Sequence, residues 1–400
     1  PDALIVLGGE HGTAVYEHVL GNSPIDVVVS GEGEETIVNL VRTHEAGDDL
    51  ASVTGIAFLD AAGAVKTTGL SARIRTVDEL PWPDWDSFPI REYIDRHQIN
   101  GMNLGRSMPL LATRGCPYEC TFCSNPFMWT RRYITRDPKL LVDEMAHYAD
   151  KYAVVNFDFQ DLTAIVNYRW AVALCEEMIA RGLNVTWQLP SGTRAEVFDD
   201  RLLNLMYEAG CRALSFAPES GSPEMLKTVK KQVDLGALIG AMKMAIRAKL
   251  KLSCFIVIGF PNEQTDTLRA TMKLIRRMAL IGVHDVSVTK FVPYPGSELF
   301  RELQETGKIE MDDAFFVTPM DFYTTDAPSY ANAISTRRLY RTMMWMFVNF
   351  YVISFATHPI RTFKVLFTAV TQGVEESRYA KWFVDRFFTR RKWRQMTQDG

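Results

Sequence analysis

Three cysteines, Cys116, Cys120 and Cys123, stand in a C-x3-C-x2-C spacing inside the stretch LLATRGCPYECTFCSN, Leu110–Asn125. Three thiols on one short loop point to metal chemistry and not to packing. The spacing bears on which metal. Structural zinc takes four nitrogen or sulfur ligands, usually as two separated pairs. No second pair is present, because Cys175, Cys211 and Cys254 are isolated in apolar runs. A [4Fe–4S] cluster is held by cysteine thiolates, and three of them would leave a fourth iron open to a substrate. The residues favour the cluster, with zinc and a structural coincidence as the alternatives. A strand-like run, Pro109–Thr113, leads into the loop, and Arg114-Gly115 turns the chain.

With Phe122 directly before its last cysteine, the loop resembles that of the radical S-adenosylmethionine (SAM) superfamily. The resemblance implies that the open iron chelates the amino and carboxylate groups of SAM. One electron from the cluster then cleaves SAM to methionine and a 5′-deoxyadenosyl radical, which abstracts hydrogen from an unactivated carbon. Cys116, Cys120 and Cys123 become the expected catalytic and cluster-binding residues, with Phe122 beside SAM.

The elements that must position this loop follow from the rest of the chain. Its 400 residues suggest two or three domains, and 47% hydrophobic with 23% charged residues is ordinary for a globular protein. A net charge of −4 gives no global signal for nucleic acid. Six cysteines are too few for a disulfide framework, and a cluster loop fits a reducing cytosol. No signal peptide is visible, and the opening at Pro1, directly before an apolar run, reads as a fragment beginning inside a domain.

Ala3–Leu7 reads as a strand ending in Gly8-Gly9, His11–Leu20 as a helix, Asp26–Val29 as a second strand closed by Gly31-Glu32-Gly33-Glu34, and Glu35–Arg42 as a helix. Paired glycines after a strand permit close approach by a ligand, and a tight turn explains them equally. "LGGEH…DVVVSGEGEETIVNL" resembles the C-terminal half of the cobalamin-binding domain that precedes the radical domain in B12-dependent radical SAM enzymes. That resemblance makes Gly8, Gly9, Gly31 and Glu32 the expected cobalamin contacts, and it assigns neither His11 nor His18 as a cobalt ligand. Gly55–Lys66 reads as a hairpin, and the proline- and tryptophan-rich Asp78–Pro89 as an extended linker pinned by Trp82 and Trp85.

From Pro109 onward, apolar runs begin near 110, 153, 184, 212, 252 and 284, with helical patterns between them: Lys139–Ala149, Tyr168–Ala180, Arg201–Glu208, Leu235–Ala248, Thr265–Leu280 and Ser297–Gln304. Six β-then-α units imply a parallel sheet with right-handed crossovers. The count fits the partial (β/α)6 barrel of the resembled family better than an eight-unit barrel.

In such barrels ligands meet the C-terminal ends of strands. The second strand ends near Asp161, expected as a SAM or substrate contact or else as a helix N-cap. The third ends at Arg194, whose guanidinium could fork onto the SAM carboxylate or pair with Glu196 or Asp199. The fourth ends in Pro218-Glu219-Ser220-Gly221, similar to the family's "ESG" ending, whose glutamate contacts SAM. The fifth ends in Gly259-Phe260-Pro261, similar to the family's G-x-P ending beside adenine, so Gly259 and Pro261 are expected SAM contacts. After the sixth strand, Tyr294 is a candidate substrate contact or a packed aromatic.

Past residue 310 the family guide fades. Met311–Tyr330 reads as irregular, and Thr342–Ile360 carries no Asp, Glu, Lys or Arg over 19 residues. Three readings stay open: a buried helix capping the barrel mouth, a membrane-surface element, or a true span. Lys381–Arg394 interleaves six basic residues with five aromatics, which suits an anionic membrane, RNA or a solvated basic helix.

The expected architecture is α/β: a partial cobalamin-binding domain at 1–75, a linker at 76–108, a partial (β/α)6 TIM-type radical SAM barrel at 109–305 and a mostly helical region at 306–400. The resemblance implies an enzyme using a [4Fe–4S] cluster, SAM and cobalamin to methylate an unactivated carbon of a hydrophobic substrate. Its alternatives are a radical cyclase like the magnesium-porphyrin cyclases, a cobalamin-independent radical SAM enzyme, and a non-catalytic cluster-bearing binding or electron-transfer module. Expected partners are a small-molecule or lipid-like substrate and an electron donor such as flavodoxin or ferredoxin, with no nucleic acid. The expected location is the cytoplasm, with peripheral membrane contact through the C-terminal region.

Overall fold

A computed structural model describes residues 3–98, 101–317 and 327–372. The first layer is a small α/β unit. Strand β1 (Val6–Leu7) leads into helix α1 (Gly9–Asn22), and β2 (Val27–Val29) lies parallel to β1. Helix α2 (Glu34–Ala46) ends at Gly47, whose φ of +71° lets its N–H return to the carbonyls of Thr43 and His44. Strands β3 (Ile56–Leu59) and β4 (Val65–Thr67) extend the sheet as an antiparallel hairpin, its turn held by Asp60.

The prolines of the linker keep it extended, and its aromatics seat it on the next layer. Trp82 packs against His147 and Tyr148, with ring centroids at 5.3 and 6.1 Å. Asp86 accepts from the Tyr152 hydroxyl at 2.8 Å. A short helix α3 (Ile90–Asp95) completes the linker.

Six parallel strands then form one sheet in the order β5 (Ser107–Leu110), β8, β9, β10, β11, β12. Between the first two, a small ladder of β6 (Thr113–Arg114) and β7 (Ile134–Thr135) encloses the cysteine loop and helix α4 (Asn125–Trp129). The units continue as α5 (Pro138–Tyr152), β8 (Asn156–Phe159), α6 (Tyr168–Ala180), β9 (Thr186–Thr193), α7 (Asp200–Glu208) and β10 (Cys211–Glu219). They close with α8 (Pro223–Thr228), α9 (Leu235–Arg247), β11 (Lys251–Ile258), α10 (Thr265–Ile281), β12 (Asp285–Lys290) and α11 (Glu298–Glu305). Side chains of Asp137, Asn167, Asp199, Ser222, Asp234 and Ser297 cap the helices that follow them, satisfying first-turn N–H groups. Alternate strand residues such as Phe157, Phe159, Leu252, Cys254 and Ile256 are buried against the helices in one large core. The half-helical, six-stranded parallel architecture is the expected partial barrel.

After α12 (Asp313–Val317), helices α13 (Thr336–Thr357) and α14 (Pro359–Gln372) form the described C-terminal region. The expected helix over Thr342–Ile360 starts earlier and breaks at His358-Pro359. Its first turn reaches the strand ends, where Leu339 lies against Gly259. Leu339, Met343, Met346 and Phe350, at helical spacing, bury one stripe, and α13 lies along α10 and β12. The Tyr351 hydroxyl donates to Asp285 at the start of β12, at 2.7 Å. Met344, Trp345, Val348 and Val352 stay exposed on the other face. No described helix is long and apolar enough to cross a membrane. The tail Lys381–Arg394 and part of Met311–Tyr330 lie outside the described residues.

Candidate functional site

The cysteine loop is held at its base and at its crown. Gly115 has a φ of +80°, and a Cβ there would stand 2.1 Å from the Arg132 carbonyl oxygen, so only glycine lets the two arms of the loop close. The Asp161 carboxylate accepts from the Ala112 N–H at 3.1 Å, from the Thr113 N–H, and from the Thr113 hydroxyl at 2.6 Å. At the crown, the Thr121 N–H donates to the Val229 carbonyl at 3.1 Å, and the Thr121 carbonyl accepts from the Leu299 N–H at 2.9 Å.

Cys116, Cys120 and Cys123 are all free thiols within this frame. Burial pushes all three up from the ordinary thiol value, Cys123 to about 12, while Lys231 pulls the other way on each. The thiols also raise one another, so they share one locality. A group that needs all three as thiolates must bring its own positive charge. Among the described residues, no three His, Cys, Asp or Glu side chains converge as a single metal ion requires.

Around the thiols stand the strand ends. Arg194, just past β9, is buried, and its guanidinium lies 3.9 Å from the centroid of the Tyr118 ring. One nitrogen reaches Glu196 at 3.3 Å, while Nε and Nη1 are buried with no acceptor in the chain. Glu219 ends β10 with a φ of +60°, a costly conformation for a residue with a Cβ and one found at functional sites. Its carboxylate meets the Lys231 ammonium at 2.9 Å, and both side chains are nearly buried. Burial works to lower the Lys231 value, but Glu219 and then Cys120 hold it above the ordinary one. Lys231 is thus a buried cation between the glutamate and the thiols.

Gly259, with a φ of +88°, begins the turn after β11. Its N–H donates to the Glu263 carboxylate at 3.1 Å, and the Pro261 carbonyl accepts from the Asn332 N–H at 3.0 Å. Phe122 packs against Phe260 at 5.5 Å, which in turn packs against Phe291 at 5.2 Å. Tyr294 is half exposed as a residue, and burial of its phenol, with the Cys123 thiol second, holds that group above its ordinary value.

Cys116, Cys120, Cys123, Phe122, Arg194, Glu219, Gly259, Pro261 and Tyr294 are therefore brought to one end of the barrel. Asp161 faces elsewhere: its oxygens are occupied by the backbone of the loop base, and the cap of the next helix is Asn167. The four glycine-turn residues divide. Gly8 caps α1, and a Cβ on Gly9 would meet nothing within 4 Å. At Gly31, with a φ of +91°, a Cβ would stand 2.5 Å from Ser71 Oγ, so the close approach there is by the chain itself. Glu32 is buried against Arg73 and Arg114. Three site residues escaped the sequence: Tyr118, within the C-P-Y-E-C spacing; Lys231, in an unremarkable Lys-Lys pair; and Glu263, two residues beyond the G-x-P turn.

Residues 110–275 match the radical SAM superfamily. Over 329 residues the chain is 34% identical to the anaerobic magnesium-protoporphyrin IX monomethyl ester cyclase of Cereibacter sphaeroides, covering 80% of this chain and 52% of that protein. The cobalamin-dependent SAM radical enzyme OxsB, solved with aqua-cobalamin and SAM bound, superposes with a TM-score of 0.66 at 15% identity, covering 97% of this chain and 62% of OxsB. Residues 110–275, which hold the cysteine loop and the strand ends through Pro261, thus form a radical SAM domain. The radical SAM methyltransferase TsrM of Kitasatospora setae shares the fold, with a TM-score of 0.60 at 19% identity over 76% of this chain and 58% of TsrM. Another relative, the cytidylyl-2-hydroxyethylphosphonate methyltransferase of Streptomyces wedmorensis, is 27% identical over 79% of this chain and 64% of its own length. The chain spans about half to two thirds of the length of these relatives.

Proposed function

We propose that Cys116, Cys120 and Cys123 hold a [4Fe–4S] cluster, that Arg194, Glu219, Gly259 and Pro261 hold SAM against it, and that the enzyme methylates an unactivated carbon with the help of cobalamin bound beside the N-terminal layer. When bound, these groups supply a 5′-deoxyadenosyl radical for hydrogen abstraction and a transferable methyl group. The residues supply the rest. Arg194 offers buried, unpartnered N–H donors, Nε on one edge and Nη1 on another, and either suits an anionic carboxylate. Glu219 accepts from an ammonium or ribose hydroxyls while Lys231 holds it in place. The glycine turn at Gly259 presents backbone groups to a flat base, stiffened by Pro261 and fixed by Glu263. Phe122 and Phe260 keep water from the thiol side. Tyr294, at the open side, is the proposed substrate contact.

The observation that carries this reading is the orphaned Arg194 donor pair beside three free thiols at the strand ends. Its test is anaerobic loading of the protein with iron and sulfide, followed by SAM and dithionite. Wild type should form 5′-deoxyadenosine, and Cys120→Ala should lose both the cluster absorbance and this product. An intact, active cluster in that variant would overturn the assignment. The 34% identity to the magnesium-porphyrin cyclase favours a second reading, oxidative ring formation. Product mass separates the two: methylation adds one CH2 to the substrate mass, and ring closure without other change removes hydrogen. A flavodoxin or ferredoxin is the proposed electron donor. Peripheral lipid contact is supported by the exposed Trp345, Val352, Ile360 and Phe363 in a stretch, 327–372, that carries no Asp or Glu.

A further inference from the structure

The N-terminal layer touches the barrel at two polar anchors, and one of them reaches the cysteine loop. Glu32 sits in the turn between β2 and α2 with its side chain 1% exposed. One carboxylate oxygen pairs with Arg73 at 2.9 Å and with Arg114 at 3.0 Å, and the other accepts from the Ile74 N–H at 2.6 Å. Its backbone carbonyl accepts from the Ser71 hydroxyl at 2.7 Å. Both carboxylate oxygens therefore have protein partners, one from the barrel and two from the last residues of the N-terminal domain. Arg114 also pairs with Glu34 and lies two residues before Cys116.

The network continues past Arg114. Arg73 stacks over Trp129 at 5.0 Å and donates to the Arg132 carbonyl at 3.3 Å. That carbonyl is the atom against which Gly115 closes. Trp129 donates from its indole to Glu10 of α1 at 2.7 Å, the second anchor. Elsewhere the contact is aromatic and apolar, His11 and His18 of α1 packing on Phe316 at 5.3 and 5.0 Å, while a cavity of about 1070 Å³ separates α2 from the linker tryptophans and β5. The polar contacts at the loop base are thus what ties the β2–α2 turn to the cysteine loop.

We propose that Glu32 is a positioning residue that fixes the cysteine loop against the N-terminal layer, acting through Arg114. A buried carboxylate with two guanidinium partners resists displacement, because loss of one partner leaves an uncompensated charge. A shift of the β2–α2 turn is thus transmitted to Arg114, Gly115 and Cys116. The cluster readout below rests on the reading of the three thiols as a cluster site; the proteolysis readout does not.

The experiment is a cycle of Glu32→Gln, Arg114→Gln and the double variant, with Glu32→Asp as a milder change. Aspartate keeps the buried charge but is one methylene too short to span Arg73, Arg114 and the Ile74 N–H together. The first readout is trypsin cleavage after the exposed Arg131 and Arg132 in the iron-free chain. The second is the electron paramagnetic resonance spectrum of the dithionite-reduced cluster with and without SAM. Glu32→Gln and Arg114→Gln should each speed cleavage by about tenfold or more, with the double variant no faster than either single one. Glu32→Asp should fall between, and the SAM-dependent spectral change should be altered in the same order. Wild-type cleavage and spectra in Glu32→Gln, with only a lowered melting temperature, would reduce Glu32 to a structural ion pair and overturn the proposal. Additive effects of Glu32 and Arg114 would overturn the route through Arg114. No cluster signal in wild type would sink the cluster reading alone, leaving the cleavage cycle to decide this one.

Discussion

Arg194→Lys separates ligand binding from folding at the barrel mouth. In the folded chain Arg194 is buried with Nε and Nη1 unpartnered. Each buried donor left without an acceptor costs about 1–3 kcal/mol. A SAM carboxylate would take up one of these charge-assisted donors, and lysine offers only a point charge there. Losing one charge-assisted hydrogen bond, at about 1.5–3 kcal/mol, weakens SAM binding by roughly 10- to 150-fold. The same substitution exchanges the guanidinium's orphaned donors for the three of an ammonium, so the stability of the ligand-free chain should change little apart from what the Tyr118 stacking contributes. The assay pairs equilibrium dialysis of SAM against the cluster-loaded protein with urea unfolding of the iron-free chain. Cluster absorbance of the loaded variant should match wild type. Unchanged SAM affinity would refute the contact. A fall in stability as large as the fall in binding would make Arg194 a partner of Glu196 and nothing more.

Four further outcomes follow from the same geometry. Because burial holds the iron-free thiols above their ordinary value, cluster loading near neutral pH should release about three protons, and iron retention should fall as pH is lowered, measurable by pH-stat and iron assay. In the iron-free chain the raised Cys123 value stabilises the fold below about pH 9, and that contribution is lost as pH rises toward 12, which denaturant unfolding at several pH values would show. Burial also lifts Asp158 to about 6 against its bonds from Gln188 and Asn156, so its contribution is full below about pH 4 and lost as pH rises through 6; Asp158→Asn keeps the acceptor and should be more stable than wild type at pH 8 by up to about 3 kcal/mol, reading out as a flatter stability–pH curve. Gly259→Ala would place a Cβ 2.4 Å from Leu339 at a φ of +88° and should lower stability by about 1–3 kcal/mol; Leu339→Ala in the same chain should relieve the clash and leave the backbone strain, visible as a partial recovery of Tm.

The strand-end residues were legible because the barrel was. Strands in this sheet set alternate apolar residues against the helices, and the caps Asp137 and Asn167 mark where helices start. Once six units were counted, the residue after each strand had a place, and Arg194, Glu219 and Gly259 followed. Asp161 shows the limit of that reasoning. Two residues past a strand, its side chain turned to the preceding backbone, where the N–H groups of Ala112 and Thr113 needed an acceptor. Strand position gives the address of a residue but not the direction of its side chain. Helix α13 shows the same limit on a larger scale: a run with no charged residue reads as wholly buried, yet a helix needs only one apolar stripe to dock, and its other face remains open.

Lys231 and Glu32 were illegible for a different reason. Each acts at long sequence distance, and neither carries a local pattern that sets it apart from a surface charge. Lys231 follows a short helix, 12 residues from Glu219, and only the fold turns it inward to that carboxylate. Glu32 stands in a glycine turn that reads as a ligand loop. The glycine at 31 is required, but by Ser71 of the protein's own chain, and the carboxylate at 32 is matched by Arg114, 82 residues away. A ligand-binding turn and a domain-docking turn make the same local demands: a left-handed residue, a close approach and a charge. What separates them is whether the approaching group belongs to the chain. At Gly31 and Glu32 it does, and this moves the search for cobalamin contacts to Gly8 and Gly9, where the space beside Gly9 is open.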